Sequence, residues 1–378
     1  MTPPAILILA GEKSGDNYGA ALVRRFQSLY PGASFFGVGG SAMAAAGVDR
    51  LFPMEDLGLI GLVEIVGHLP RLRRMQEALV READRRKPAA AVLIDSPDFN
   101  LPLAKRLKAR GIPVLYYISP TIWAWRPGRL KKIRKRVAKM LLIFPFEERL
   151  YAEAGIPARF VGHPLLERIR TVRDRDAVRA GHGIDPGRPL VVLMPGSRRG
   201  EVARHMPLLA KAVPLIRRAT QARFLLIRAE DLDEAFLRRF LPPGLADVSI
   251  VDQGAYDAIA AADLVLSACG TANLEAALLG TPLVAFYKVA PLTSFLGRRL
   301  LRIRVFSIVN ILAGKTLVPE LIQRDFTSER LAAEAIRLLR SPEERARLQA
   351  LFARLKTDLG TEPASENAAR ELLNLIAS

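Results

Sequence analysis

Short runs of apolar residues, each followed by a turn and a longer stretch with helical spacing, recur along this chain. Ala5–Ala10 reads as a first buried strand, with a helix running to about Tyr30, and Ser34–Val38 as a second strand. Ala90–Asp95 is a third, followed by a helix ending near Gly111, and Val114–Ile118 is a fourth. The rhythm restarts with Leu190–Met194, Phe224–Ile227, Val248–Val251, Leu264–Ser267 and Leu283–Phe286. Apolar runs alternating with helical segments predict parallel sheets covered on both faces. Arg168–Pro189, rich in charge, glycine and proline, reads as a linker, and from about Thr327 the chain looks helical to its end. The expected fold is α/β, with two doubly wound, Rossmann-like domains over residues 1–167 and 190–330, a linker over 168–189 and closing helices over 331–378. Such a pair places a ligand cleft between the domains, facing the carboxyl ends of both sheets.

Composition narrows the setting. A chain of 378 residues exceeds what one compact core usually supports, which agrees with two domains. The single cysteine, Cys269, cannot form an internal disulfide, so a reducing, cytoplasmic compartment is expected. No basic residue precedes the apolar run Ala5–Ala10 and no small-residue cleavage pattern follows it, so it reads as a strand rather than a signal peptide. No stretch reaches the roughly 18 uninterrupted apolar residues of a membrane-spanning helix, so any membrane contact is expected to be peripheral. The net charge of +18 calls for an anionic partner, be it nucleic acid, lipid or a phosphorylated small molecule. Residues 126–139 carry eight basic side chains and no acid, and Arg298, Arg299, Arg302 and Arg304 form a second cluster. Neither cluster accompanies an RNA-stacking or helix-turn-helix signature, so nucleic acid is not the expected partner.

The residues just past each strand are where an α/β fold presents its chemistry. After the first strand come Gly11-Glu12-Lys13-Ser14-Gly15-Asp16, a turn open enough for backbone N–H groups to approach a ligand. It matches neither the dinucleotide fingerprint nor the P-loop, and leaves Glu12 as the residue of interest, with Ser14 beside it. After the third strand, Ser96 before Pro97 looks like an N-cap with proline in the first turn, where Asp98 suits the helix dipole, although Asp98, like Ser14, is also a candidate acceptor or cleft residue. Asp95 has no such structural reason. It ends an apolar run with a carboxylate, an unfavourable place for a charge without a task or a partner, and is read as a general base. In the second half, Pro195-Gly196-Ser197-Arg198 offers an open backbone and an arginine suited to phosphate. Further on, Gly270 and Thr271 turn the chain into a helix whose first N–H groups can hold a diphosphate. Glu275, roughly one turn on, lies on the same face and is placed to accept from a ribose diol. His163, in Gly162-His163-Pro164, reads either as a structural histidine or as a cleft residue. His68, His182 and His205 show no metal-ligand spacing with one another or with Cys269, so no metal site is expected.

These motifs together resemble the lipid-A-disaccharide synthase family, glycosyltransferases of the two-lobed B-type fold. The resemblance is distributed over most of the chain. It includes Ala10–Asp16, Ile94–Asn100, the specific run Tyr117–Arg126, Phe144-Pro145-Phe146-Glu147, Phe160–His163, Pro195–Arg198, Ser267–Glu275 and Asn310–Gly314. The family often has alanine where Lys13, Ser96 and Cys269 stand here, none of them a chemical position. The resemblance implies that UDP-2,3-diacylglucosamine donates its sugar to the 6-hydroxyl of 2,3-diacylglucosamine 1-phosphate. The products would be a β-1,6-linked disaccharide 1-phosphate and UDP, formed with inversion and without a cofactor. Asp95 resembles the family's proposed base, Glu12 would position the acceptor, and Arg198 with Gly270 and Thr271 would neutralise the diphosphate. Glu275 would hold the ribose, and Asn310 and Gln323 look like further donor-site residues. Acylated substrates also imply a peripheral seat on the anionic inner-membrane surface. The apolar run 57–67, with Arg71, Arg73 and Arg74 behind it, reads either as a core helix or as a surface for acyl chains. Two other readings stay open at this point. One is a different UDP-sugar enzyme of the same fold, such as a UDP-N-acetylglucosamine 2-epimerase. The other is a basic nucleic-acid or membrane-binding module built on residues 126–139.

Overall fold

The computed structural model describes residues 3–58, 65–123, 128–290 and 305–377, with side chains left undescribed at 58 and 65–69. The chain forms two compact units, Met1–Pro164 joined by Leu359–Ser378, and Leu165–Asp358.

The first unit holds seven strands: β1 Ala5–Ala10, β2 Ser34–Gly39, β3 Val48–Pro53, β4 Ala90–Ile94, β5 Val114–Tyr117, β6 Lys139–Leu142 and β7 Ala158–Phe160. They lie in the order β3-β2-β1-β4-β5-β6-β7, and every neighbouring pair is parallel. The second unit repeats the scheme with β8 Leu190–Met194, β9 Arg223–Ile227, β10 Ser249–Val251, β11 Leu264–Ala268, β12 Leu283–Tyr287 and β13 Glu320–Ile322. Their order is β10-β9-β8-β11-β12-β13, again all parallel. The central strands β1, β4, β8 and β11 have almost no polar residue because helices cover both faces, and Ile6, Leu93, Val192 and Leu266 are fully buried. The expected doubly wound α/β architecture is therefore present in each half.

Four strands lay outside the sequence reading: β3, β6, β7 and β13. β7 and β13 are three residues long, and β3 is interrupted by Asp49 and Arg50, so none of these gives the apolar run that marks a central strand.

The domain boundaries also differ from expectation. Residues 168–189 fold into the second unit rather than linking two others. The helix Arg175–Gly181 begins on Asp174, whose side chain accepts from Ala177 N at 2.8 Å. Arg179 is buried and reaches Asp263, which also accepts from Arg175 at 2.6 Å and from Leu190 N at 2.7 Å, at the start of β8. The closing helices divide as well. Ser328–Leu339 and Pro342–Asp358 stay with the second unit, while Ala364–Ala377 belongs to the first. That last helix buries Ala368, Ala369 and Leu372 in the same core as Ile6, Ile8 and Phe26. Glu371 fixes it by accepting from Lys139 and, at 2.8 Å, from Arg159.

The chain order reverses once in each sheet, between β1 and β4 and between β8 and β11. In open α/β sheets the ligand crevice forms outside the carboxyl ends of the strands at such a reversal. These two points carry Glu12 with Asp95, and Arg198 with Gly270.

Candidate active site

At the first reversal, Asp95 follows β4 directly. Its backbone is held on both sides: its N–H donates to Tyr117 O at 3.0 Å, and its carbonyl accepts from Asn100 Nδ2 at 2.7 Å and from the Tyr116 hydroxyl. These bonds hold it at φ 47°, and Ser96 follows at φ 43°. Two successive non-glycine residues in the left-handed region are strained, and such strain persists only where the surroundings impose it. Burial pushes the Asp95 carboxyl up to about 6, and the nearby charge of Glu12 adds to the rise, with the Ser96 backbone and Arg129 opposing it. Ser96 stands at the N-cap position but makes no side-chain cap, because its left-handed backbone turns it away; Pro97 does begin the helix Pro97–Lys108. Asp98 lies in the first turn as expected and pairs with the buried Arg129 guanidinium at 2.5 Å.

Glu12 is exposed at the N-cap of the helix Lys13–Leu29, and Ser14 is half-buried in its first turn. A Cβ at Gly11 would collide with Ser96 Oγ, so the close approach of the two turns requires glycine there. Asp16, unremarked in the sequence beyond its motif, is buried and accepts from Gly40 N at 2.7 Å, Ala42 N at 3.0 Å and Met43 N at 3.1 Å. It ties the turn after β1 to the turn after β2. His163 is buried beside Phe144, with ring centroids 5.3 Å apart, and burial holds its imidazole down to about 3. It is therefore neutral at physiological pH.

At the second reversal a cavity of about 280 Å³ opens, lined by Gly196, Ser197, Glu201, Gly270, Thr271 and Glu275 among others. This brings together three of the expected donor residues. Gly270 has φ +155° and leads into the helix Thr271–Leu278, whose first N–H groups have no intrahelical acceptor. Those groups and the helix dipole favour an anion. Burial raises the Glu275 carboxyl, opposed by Arg168 and by the Tyr256 hydroxyl, which donates to Glu275 Oε1 at 3.4 Å. Cys269 also lines the cavity, and burial pushes its thiol up, so it stays protonated.

Three expected donor residues stand differently. Arg198 is not among the lining residues: its exposed guanidinium reaches Glu201 Oε1 at 3.3 Å. Asn310 is fully buried. Its amide donates to Val318 O at 2.9 Å and Glu320 Oε1 at 2.6 Å, and accepts from Leu317 N and Val318 N at 2.6 and 2.8 Å. With two donors and two acceptor positions used, its side chain braces β13 and has no capacity left for a ligand. Gln323 follows β13 at φ 57°, and its N–H donates to Tyr287 O at 2.8 Å.

His205 escaped the sequence reading, where only metal spacing was weighed. It is fully buried, with Nδ1 2.7 Å from Pro195 O and Nε2 accepting from Lys288 N at 3.0 Å. Only the neutral Nδ1–H tautomer satisfies both, so the ring pins the ends of β8 and β12 together beside the cavity. Nothing in the local sequence announces this, because the two partners are backbone atoms. Asn100 and Asn273 escaped for the same reason. Asn273 Nδ2 donates to Ala268 O at 3.0 Å, just as Asn100 holds Asp95 O.

Among the described residues no three His, Cys, Asp or Glu side chains gather to hold a metal ion, and no helix is long and apolar enough to cross a membrane. Most of the run 57–67 and the whole cluster 298–304 lie outside the described residues. Of residues 126–139, Arg129 is buried, whereas Lys131, Lys132, Arg134 and Lys135 are exposed on one short helix.

Comparison with known proteins settles the family. The sequence profile described as lipid-A-disaccharide synthetase matches residues 6–375. The chain is 42% identical to a lipid-A-disaccharide synthase of Geobacter sulfurreducens over 99% of its own length and 98% of the relative's. It is 43% identical to one of Koribacter versatilis, covering 98% of each. Among solved structures it is similar to a kitacinnamycin glycotransferase, with TM-score 0.66 and 13% identity over 99% of both chains. It is also similar to the UDP-GlcNAc 2-epimerase of Neisseria meningitidis, with TM-score 0.63 and 10% identity over 98% of both. These distant likenesses speak for the GT-B fold alone. The extended sequence identity speaks for more: the chain belongs to the lipid-A-disaccharide synthetase family and is a glycosyltransferase of lipid A biosynthesis.

Proposed function

We propose that this glycosyltransferase joins UDP-2,3-diacylglucosamine to 2,3-diacylglucosamine 1-phosphate, giving the β-1,6 disaccharide 1-phosphate and UDP with inversion at the anomeric carbon. The observation that carries the mechanism is Asp95, a carboxylate raised to about 6 at a strained strand end. A base in that range is ionised at pH 7 and still accepts a proton as bond formation acidifies the acceptor 6-hydroxyl. Glu12, beside it, raises its basicity and is placed to bond the acceptor sugar. In the second unit, the turn Gly270–Thr271 and the helix dipole receive the departing diphosphate, where negative charge grows in the transition state. Arg198 leaves Glu201 to join them, and Glu275 accepts from the ribose.

Peripheral attachment to an anionic membrane agrees with the exposed Lys131, Lys132, Arg134 and Lys135. The deciding assay offers both acylated glucosamine substrates and follows UDP release. Release that requires the acceptor supports the proposal. Conversion of UDP-N-acetylglucosamine with no acceptor present identifies an epimerase instead.

A further inference from the structure

The carboxyl edge of the first sheet holds a second acid that the mechanism above does not use. Glu147 opens the helix Glu147–Glu153 shortly after β6 and is only 1% exposed. Tyr151 approaches it from its own helix, and Ser119 and Trp123 from the segment that follows β5. The Ser119 and Tyr151 hydroxyls are 2.8 Å apart, and Ser119 Oγ also donates to Pro120 O at 3.0 Å. Trp123 stands edge-on to Phe146 with centroids 5.5 Å apart, and Phe146 stacks on Phe144 at 5.7 Å. Beyond Phe144 lies the neutral imidazole of His163.

Among the described residues, none of the groups acting on the Glu147 carboxyl is a cation. Burial pushes it up to about 8, against the stabilising pull of Ser119, Trp123 and the Phe144 backbone. At neutral pH the group is therefore a neutral acid. Trp123 stands near it without completing a hydrogen bond: Glu147 Oε2 and Trp123 Nε1 are both buried with no partner. A neutral acid tolerates an unfilled acceptor far better than a carboxylate does. Once ionised, the carboxylate must draw donors or water to itself, and the donors within reach belong to the Ser119–Trp123 segment. That segment continues β5, the strand that holds the base: Tyr117 O accepts from Asp95 N at 3.0 Å, and the Tyr116 hydroxyl donates to Asp95 O.

We propose that Glu147 is a positioning residue which seats the Ser119–Trp123 segment and, through β5, the Asp95 turn in working geometry, and which draws that segment out of place on losing its proton. The inference rests on the reading of Asp95 as the base. It gives the enzyme an upper pH limit set by a residue remote from the reacting atoms. It also makes the fold less stable as pH rises from about 4.5 to about 8, since the unfolded chain ionises this carboxyl early and the folded chain late.

The test follows UDP formation by the full-length protein from both acylated substrates between pH 6 and 9.5, in wild type and in Glu147→Gln. Tryptophan emission is read over the same range in a Trp125→Phe background, which leaves Trp123 as the sole indole. The wild-type kcat is expected to fall on the alkaline side by about tenfold per pH unit beyond its midpoint, with emission titrating in step. Glu147→Gln, neutral at every pH, is expected to lose both transitions. A residue that merely packs would lower the rate and the melting temperature alike at all pH values and leave the limb in place. Transitions that persist unchanged in the glutamine variant overturn the proposal, and so does a flat wild-type emission curve, which needs no variant to fold. Failure of the base reading shows elsewhere, as normal turnover by Asp95→Asn while the Glu147 transition remains.

Discussion

The turns after β4 and β11 occupy the same place in their sheets and present opposite chemistry. Both follow the strand at which the order reverses, and both are braced by an asparagine amide from the helix they open, Asn100 in one and Asn273 in the other. The first turn sets two non-glycine residues in the left-handed region and aims a half-buried carboxylate. The second uses Gly270, where a Cβ would meet nothing within 4 Å, and small neighbours that leave backbone N–H groups accessible. On the proposed reading, one scaffold serves side-chain chemistry at one site and backbone recognition at the other. Strain of about 1–3 kcal/mol per residue is tolerated where an ionisable group must be placed. It is avoided where the backbone itself is proposed to bind the ligand.

Breaking this contrast at the first turn should have the largest effect. Asp95→Asn keeps the shape and removes the proton acceptor, so kcat should fall by roughly 10²–10⁴-fold while UDP affinity, measured by calorimetry, stays within about twofold. At the second turn the split reverses. Gly270→Ala has space for its methyl group but must adopt φ +155°, which costs about 1–3 kcal/mol. UDP should then bind roughly tenfold or more weakly, with Asp95 chemistry untouched. Bracing is the next level down. Asn310→Ala leaves the Leu317 and Val318 N–H groups and the Glu320 carboxylate short of partners, and thermal unfolding should report a loss of about 1–3 kcal/mol. The smallest effect belongs to Glu12→Gln. Removing a charge that raises the Asp95 pKa should move the acid limb of the rate profile below its wild-type midpoint.

What the sequence made legible follows from the same contrast. Asp95 stood out because a carboxylate ending an apolar run is costly without a reason, and Gly270-Thr271 because a glycine between strand and helix exposes N–H groups. Both are local signals. Glu147 gave no signal beyond its motif, since its neutrality comes from burial between its own helix and the segment that follows β5. His205 and the two bracing asparagines act on backbone carbonyls and N–H groups, which no residue pattern encodes. Arg198 stood out as an arginine suited to phosphate, but its present partner Glu201 did not, because an acid three residues into a helix usually serves the dipole alone. The closing helix Ala364–Ala377 read as an appendage because its apolar face gives no hint of which core it completes.

The most direct test of the central claim, that Asp95 is the base, is the pH dependence of kcat for UDP release with both acylated substrates saturating. The acid side of the profile should show a single ionisation with a midpoint near 6, below which the rate falls about tenfold per pH unit, and a lower midpoint in Glu12→Gln. A rate that stays level down to pH 4.5, or a midpoint that Glu12→Gln leaves in place, would contradict it.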